Sequence, residues 1–283
     1  MKRKFRSDML LHFQRKKIVI VPAVNLLLAG IICMLLSAKP VDEKSTIDNI
    51  AVKSFKVLVL YENGGHHLAY TNAAIPWLNK LAADSGFTIV SITKTDTINE
   101  KFLKQFNLVI QLDYPPYAWK KDAVTAFENY IEKGKGGWIG FHHTTLLGEF
   151  DGYPMWDWFH RFMGNIRWKN FIADFASGQV NVEDATHPAM QGLGKSFNIE
   201  KEEWYTYDRS PRPDVHVLAS VDESTYSPAR DVKMGDHPVV WTNDKFKARN
   251  IYIFMGHDPG LFNNESYTRL FRNAIFWAAG RRN

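Results

Sequence analysis

From Phe55 onward the chain alternates short β-branched runs with stretches of helical periodicity. Lys56 to Tyr61 (KVLVLY) is apolar without an in-out rhythm, the pattern of a parallel strand covered on both faces. Ala69 to Ser85 follows with apolar side chains at Ala73, Ile75, Trp77, Leu78 and Leu81, which predicts a helix. Phe87 to Ile92 and Asn107 to Leu112 predict two more strands, the second closed by Asp113-Tyr114-Pro115-Pro116, whose prolines cannot donate to a ladder. Lys121 to Lys133 has helical spacing of Val124, Phe127, Tyr130 and Ile131 and is stopped by Gly134 to Gly137; Gly137 to Phe141 predicts the fourth strand. This β-α-β-α order implies an α/β fold with a mostly parallel sheet, right-handed crossovers and helices on both faces.

The second half is less regular. Trp156 to Phe162 predicts a short amphipathic helix, and Ala173 to Val182, Glu202 to Tyr207 and Val215 to Val221 predict strands joined by longer loops. Pro238 to Thr242 and Asn250 to Met255 form a strand pair across the turn Asn243-Asp244-Lys245. Asn264 to Ala279 closes the chain as a helix with Leu270, Phe271, Ala274, Ile275 and Trp277 on one face.

A different pattern precedes this body. Residues 1–38 carry seven basic side chains against Asp8 alone, then an apolar run from Ile18 to Ala38 broken only by Pro22, Asn25 and Ser37. A run of about 20 residues suits a membrane span, and a basic leader before an apolar core suits an export signal. We therefore read 1–38 as a signal peptide or N-terminal membrane anchor, with Ala38 as the candidate cleavage point. Residues 39–54 read as a polar linker and 55–283 as the globular domain. Positive charge on the N-terminal side would leave that domain exported, in the periplasm or at the cell surface, with membrane contact through residues 18–38 if they are retained.

Composition changes the picture in two places. The formal charge of +5 resides in the leader, and the body after Ala38 is close to neutral, so no electrostatic case for nucleic-acid binding remains. Cys33, the single cysteine, lies in the apolar run, which leaves the body without a disulfide or a thiol nucleophile.

The chemistry-bearing residues fall after the predicted strands. Gly64-Gly65-His66-His67 follows the first strand without the G-x-G-x-x-G spacing of a phosphate cradle. Gly140-Phe141-His142-His143-Thr144 follows the fourth, at the position of a nucleophile elbow but with imidazole in place of serine or cysteine. Asp236-His237-Pro238 and Gly256-His257-Asp258-Pro259 flank the last strand pair. Within Glu202 to Tyr207, alternation puts Glu203, Tyr205 and Tyr207 on one face, a carboxylate beside aromatic rings of the kind that recognises sugars. Strand ends meet at one edge of an open α/β sheet, so these histidines are expected to converge on one pocket. Neither H-E-x-x-H nor a Cys/His knuckle occurs, and spacing alone leaves open whether a divalent metal sits at the cluster.

These segments in this order, from about Lys56 to Ala279, resemble the ThuA-like family named for trehalose utilisation. They are Gly65 to His67, Gly136 to His142, His187-Pro188, Glu203-Trp204-Tyr205, His237-Pro238-Val239-Val240-Trp241 and Gly256-His257-Asp258. The resemblance implies a flavodoxin-like, class I glutamine amidotransferase-like fold whose amidotransferase nucleophile is replaced at His142, with His257 at the position of the amidotransferase histidine. It also implies carbohydrate metabolism. Many relatives carry a further histidine near the segment that here reads Arg167-Trp168-Lys169-Asn170.

The resulting expectation is an exported, carbohydrate-active hydrolase or isomerase without amidotransferase activity. His142 and His257 would act as acid and base, while His66, His67, His143, Glu203, Tyr205, His237, Trp241 and Asp258 position a small carbohydrate. The alternatives are a non-catalytic sugar-binding module and a metal-dependent hydrolase.

Overall fold

The structure is a computed structural model that describes residues 54–281. The leader, and the linker up to residue 53, lie outside the described residues. Among the described residues no helix is long and apolar enough to cross a membrane.

Five parallel strands form the centre: β1 (Lys56–Leu60), β2 (Thr88–Ile92), β3 (Leu108–Gln111), β4 (Gly137–Phe141) and β11 (Asn250–Ile253). Their order β2-β1-β3-β4-β11 is the flavodoxin-like arrangement. β3, β4 and β11 are buried at every residue, which is why their sequences show no alternation. β10 (Pro238–Thr242), β9 (His216–Ser227), β6 (Ala176–Val182) and β7 (Ser196–Glu202) extend the sheet antiparallel to nine strands. A separate two-stranded ladder joins β5 (Trp168–Phe171) to β8 (Tyr205–Tyr207).

The helices are α1 (Leu68–Ser85), α2 (Glu100–Leu103), α3 (Lys121–Glu132), α4 (Asp157–Phe162) and α5 (Glu265–Ala278). α1 ends on Gly86 at φ 72°, a left-handed cap that glycine adopts without steric cost. α5 buries Leu270, Phe271, Ala274 and Ile275. The core beside β4 is aromatic, with Trp138 edge-on to Phe159 and Phe162 of α4.

Two sequence expectations need correction. Glu202 to Tyr207 is not one strand: Glu202 ends β7, Tyr205 begins β8 in the other sheet, and the chain turns at Glu203-Trp204. The turn is pinned because Trp204 is fully buried and its indole N–H donates to the Ala176 carbonyl at 2.9 Å. β5 and β7 were not anticipated, since WKNF and SFNIEKE are largely polar, exposed edge segments.

Candidate functional site

Each end of the parallel strands is shaped to deliver a side chain. After β1, Gly65 takes φ 66° and lets the chain turn into a short 3-10 segment, so that His67 enters the interior while His66 stays exposed. After β4, His142 itself adopts φ 35°, a left-handed conformation that costs an L-residue roughly 1–2 kcal/mol. The strain is held from below. The Thr145 hydroxyl donates to the His142 carbonyl at 2.8 Å, the Tyr252 hydroxyl donates to the same oxygen at 3.2 Å, and Tyr207 is 2.9 Å from Thr145 Oγ1. After β11, Gly256 lies against this elbow; a β-carbon there would stand 2.9 Å from the Cβ of His142.

These turns bring four imidazoles together. The His67 ring centre is 3.8 Å from that of His143, 4.3 Å from His257 and 4.9 Å from His142. Glu203 sits at the junction: one carboxylate oxygen lies 3.3 Å from His142 Nε2 and 3.1 Å from His257 Nδ1. His142 Nδ1 faces the Phe254 carbonyl at 3.3 Å. Glu202, fully buried behind the cluster, accepts the backbone N–H groups of Gly256 at 3.0 Å and His257 at 3.4 Å. At the outer side His143 Nδ1 is 3.6 Å from Glu62.

Burial dominates the electrostatics. It pushes the His67 imidazole far below its ordinary range, reinforced by neighbouring histidines. It lowers His142 to about 4 despite the opposing contact with Glu203. It raises Glu202 to about 7, against the backbone donors that favour the carboxylate. For Glu203 burial also acts upward, but its hydrogen bonds with His142 and His257 outweigh it and hold the carboxyl at about 2. Asp113, at the end of β3, is raised to about 6 by burial although Thr71 and the Glu62 backbone bond to it.

A cavity of about 150 Å³ opens beside the cluster, walled by His66, His67, His143, Trp168, Phe171, Glu203 and Tyr205. Tyr205 also packs its ring 4.2 Å from that of His142. Of the ten residues singled out from sequence, seven belong to the cluster or this cavity: His66, His67, His142, His143, Glu203, Tyr205 and His257. The other three do not join them. His237 is buried in the antiparallel half, bonded to Glu223 at 2.9 Å and boxed by Trp204 and Phe254. Trp241 is buried against Tyr252, with ring centres 4.3 Å apart. Asp258 caps the turn at Pro259–Asn263 through Gly260 N and pairs with Lys201 at 3.1 Å. His237 lies at the cluster's own edge, because β10 runs antiparallel to β11 and begins there, but it is set further along the sheet, with the Phe254 ring packed against both His237 and His142.

Sequence reasoning missed Glu62, Glu202, Trp168 and Phe171 as site components. Glu202 had been assigned to the far face by strand alternation, which the turn at Glu203-Trp204 abolishes. Trp168 and Phe171 belong to β5, which has no apolar run to announce it.

A flavodoxin-like parallel core with a buried histidine and carboxylate cluster at its carboxyl edge defines the class of this protein, an α/β domain with histidine at the elbow after β4. The family model described as trehalose utilisation (ThuA) matches residues 56–278, and the chain belongs to the ThuA family. It is similar to a ThuA-like protein of Bacteroides uniformis, with 31% identity over 80% of this chain and 92% of that one and a TM-score of 0.71. A ThuA-like protein of Parabacteroides merdae shares the fold at 20% identity over 81% and 91% of the two chains, with a TM-score of 0.58. A cytoplasmic protein of Salmonella typhimurium does so at 12% identity over 79% and 99%, with a TM-score of 0.53. No curated protein matches the chain.

Proposed function

We propose that this ThuA-family protein is an exported, carbohydrate-active enzyme whose substrate enters the cavity beside the histidine cluster. The observation that carries this reading is the composition of the cavity wall, in which the aromatic Trp168, Phe171 and Tyr205 stand together with the polar side chains of His66, His143 and Glu203. Sugar rings stack their C–H faces on aromatic surfaces while their hydroxyls need hydrogen-bond partners, so this wall meets both demands. The family's description as trehalose utilisation points to the same class of substrate. Beyond the cavity the rings continue through Phe150, 5.9 Å from Trp168, to Tyr117 and the exposed Tyr153, a surface on which a second sugar unit would rest.

The sequence placed acid and base at His142 and His257. His142 is fully buried with both ring nitrogens engaged, and neither residue walls the cavity. His143 does, with the Glu62 carboxylate 3.6 Å from its Nδ1. In this reading His143 gives or takes the proton at a sugar oxygen, and His142 and His257 hold Glu203 in place beneath the substrate. The position of Cys33, the single cysteine, in the apolar run of the leader supports a reading without amidotransferase activity, since the site then has no thiol nucleophile. The basic leader and apolar run of residues 1–38 support export.

The test is turnover of a panel of di- and oligosaccharides and their oxidised forms by the purified full chain, followed by product analysis, with His143→Ala as the control. Turnover reduced by about 10²- to 10⁴-fold in that variant supports the assignment. Saccharide binding without any product, or full activity in His143→Ala, overturns it. A reporter fused after residue 54 that stays in the cytoplasm overturns export.

A further inference from the structure

We infer that His67, His142, Glu203 and His257 form a binding site for a divalent transition-metal ion, a property the carbohydrate reading neither requires nor supplies. Each of the four offers one donor atom, and these atoms all lie within 4.8 Å of one another. Hydrogen-bond bookkeeping shows why a cation belongs there. The Phe254 carbonyl can only accept, so His142 Nδ1 carries the hydrogen that points at it. In the neutral ring Nε2 is then a bare lone pair, and it faces a Glu203 carboxylate oxygen, another lone pair, at 3.3 Å. His257 Nδ1 converges on that same oxygen at 3.1 Å.

His67 is the second, independent observation. The residue is 1% exposed, and neither of its ring nitrogens has a hydrogen-bond partner among the described residues. A buried polar group left unpaired costs about 1–3 kcal/mol, so such groups are rarely left without a purpose. With ligand atoms of His67 and His142 and a carboxylate oxygen all within 4.8 Å of one another, one positive ion relieves them together.

The surroundings have the form of a metal site as well. Ligating histidines characteristically fix their second nitrogen on a carbonyl or carboxylate, as His142 does on Phe254. Glu202 anchors the backbone that carries His257 through the N–H groups of Gly256 and His257. Three imidazoles and one carboxylate form a borderline donor set suited to zinc and its neighbours rather than to magnesium or calcium. His67 and Glu203 also wall the cavity, so an oxygen of a molecule held there would approach the ion from that side.

The experiment is elemental analysis of the full chain purified without chelator or histidine tag, then removal of metal and titration of the apoprotein with cobalt(II). The expected result is about one equivalent of metal per chain and visible ligand-field bands of a low-coordinate cobalt site. His67→Ala and His257→Ala should each lower the cobalt affinity at least ~10²-fold, exceeding the loss typical of a supporting residue. Circular dichroism of the apo variants shows whether they fold; should His67→Ala fail to, His67→Gln takes its place. Absence of bound metal together with absence of cobalt bands in the wild type overturns the inference, and so does unchanged affinity in both folded variants. A proton shared between His142 and Glu203 would then be what holds the lone pairs apart. The two readings fail separately: metal bound without saccharide turnover leaves the site standing, and turnover by rigorously metal-free protein leaves the enzyme standing.

Discussion

The molecule buries a histidine against a glutamate twice, with opposite outcomes. In the antiparallel half, Glu223 accepts the backbone N–H groups of Met234 at 2.7 Å and Gly235 at 2.8 Å and bonds His237 Nδ1 at 2.9 Å, while Tyr226 is 3.2 Å from the same nitrogen. One imidazole meets one carboxylate inside a box of Trp204, Tyr226 and Phe254. At the parallel edge, Glu203 meets two imidazoles, a third without partners stands beside them, and a cavity adjoins. The first arrangement stitches two strands and a loop. The second puts one carboxylate between two imidazoles and leaves His67 without a hydrogen-bond partner among the described residues. A buried histidine therefore signals chemistry when two imidazoles share one carboxylate beside a cavity, rather than when one imidazole closes on one carboxylate.

The comparison breaks most sharply under substitution of the two glutamates. Glu203→Gln should abolish cobalt binding, a loss of at least ~10²-fold in affinity, with little change in thermal midpoint. Glu223→Ala should do the reverse: metal content unchanged, with stability reduced by ~3 kcal/mol because His237 and two backbone donors lose their acceptor. Chemical denaturation and elemental analysis of both variants check the pair. Equal effects on both readouts would erase the distinction.

A smaller change probes how the elbow is held. Gly256→Ala places a methyl group 2.9 Å from the Cβ of His142 and 3.3 Å from that of Phe141. Overpacking at such a position typically costs ~1–3 kcal/mol. The elbow must shift to accept it, so cobalt affinity should fall together with stability, in contrast to Glu203→Gln. Trp168→Ala, on the open side of the cavity, should leave metal and fold intact and weaken saccharide binding ~10-fold, as expected for the loss of one stacked ring. Calorimetry with the best saccharide of the panel measures it.

How much of this was legible follows from the same contrast. KVLVLY and NLVIQL carry their burial on both faces in their letters, and the glycines before His67 and beside His142 mark turns, so the parallel core and its histidines could be read. In the antiparallel half β6, β9 and β10 were legible as strands as well, but β7 was not, because SFNIEKE is polar on its exposed face and its apolar rhythm is short. The reading of Glu203 and Tyr205 as neighbours on one strand face reached the right residues by the wrong route. The turn that breaks the strand brings both to the cavity wall, and it frees Glu202 to anchor the loop behind. For His237 the edge was legible and the partner was not: β10 does begin beside the end of β11, but Glu223, fourteen residues earlier in the chain, takes the imidazole behind Phe254.

The most gradual predicted effect is a pH slope, and its sign differs between the two regions. Asp113, beside the cluster, is raised to about 6, above its ordinary value of 3.8. The folded chain holds that proton more tightly than the unfolded one, so the contribution is complete below about pH 4 and is lost as pH rises through 6. Glu223 goes the other way: burial acts upward on it, but His237 and the two backbone donors prevail and lower it. Its contribution is present above the ordinary carboxylate range and is lost as pH falls through its folded value. Asp113→Asn should therefore remove a decline of up to ~1.4 kcal/mol per pH unit between pH 4 and 6. The amide oxygen still accepts from Glu62 N, and the Thr71 hydroxyl can rotate to accept from the amide N–H, so little stability should be lost at pH 4. Urea unfolding of wild type and variant across that interval measures the difference. Parallel curves would mean that Asp113 is already ionised in the folded chain, and that the parallel edge stabilises carboxylates as the antiparallel half does.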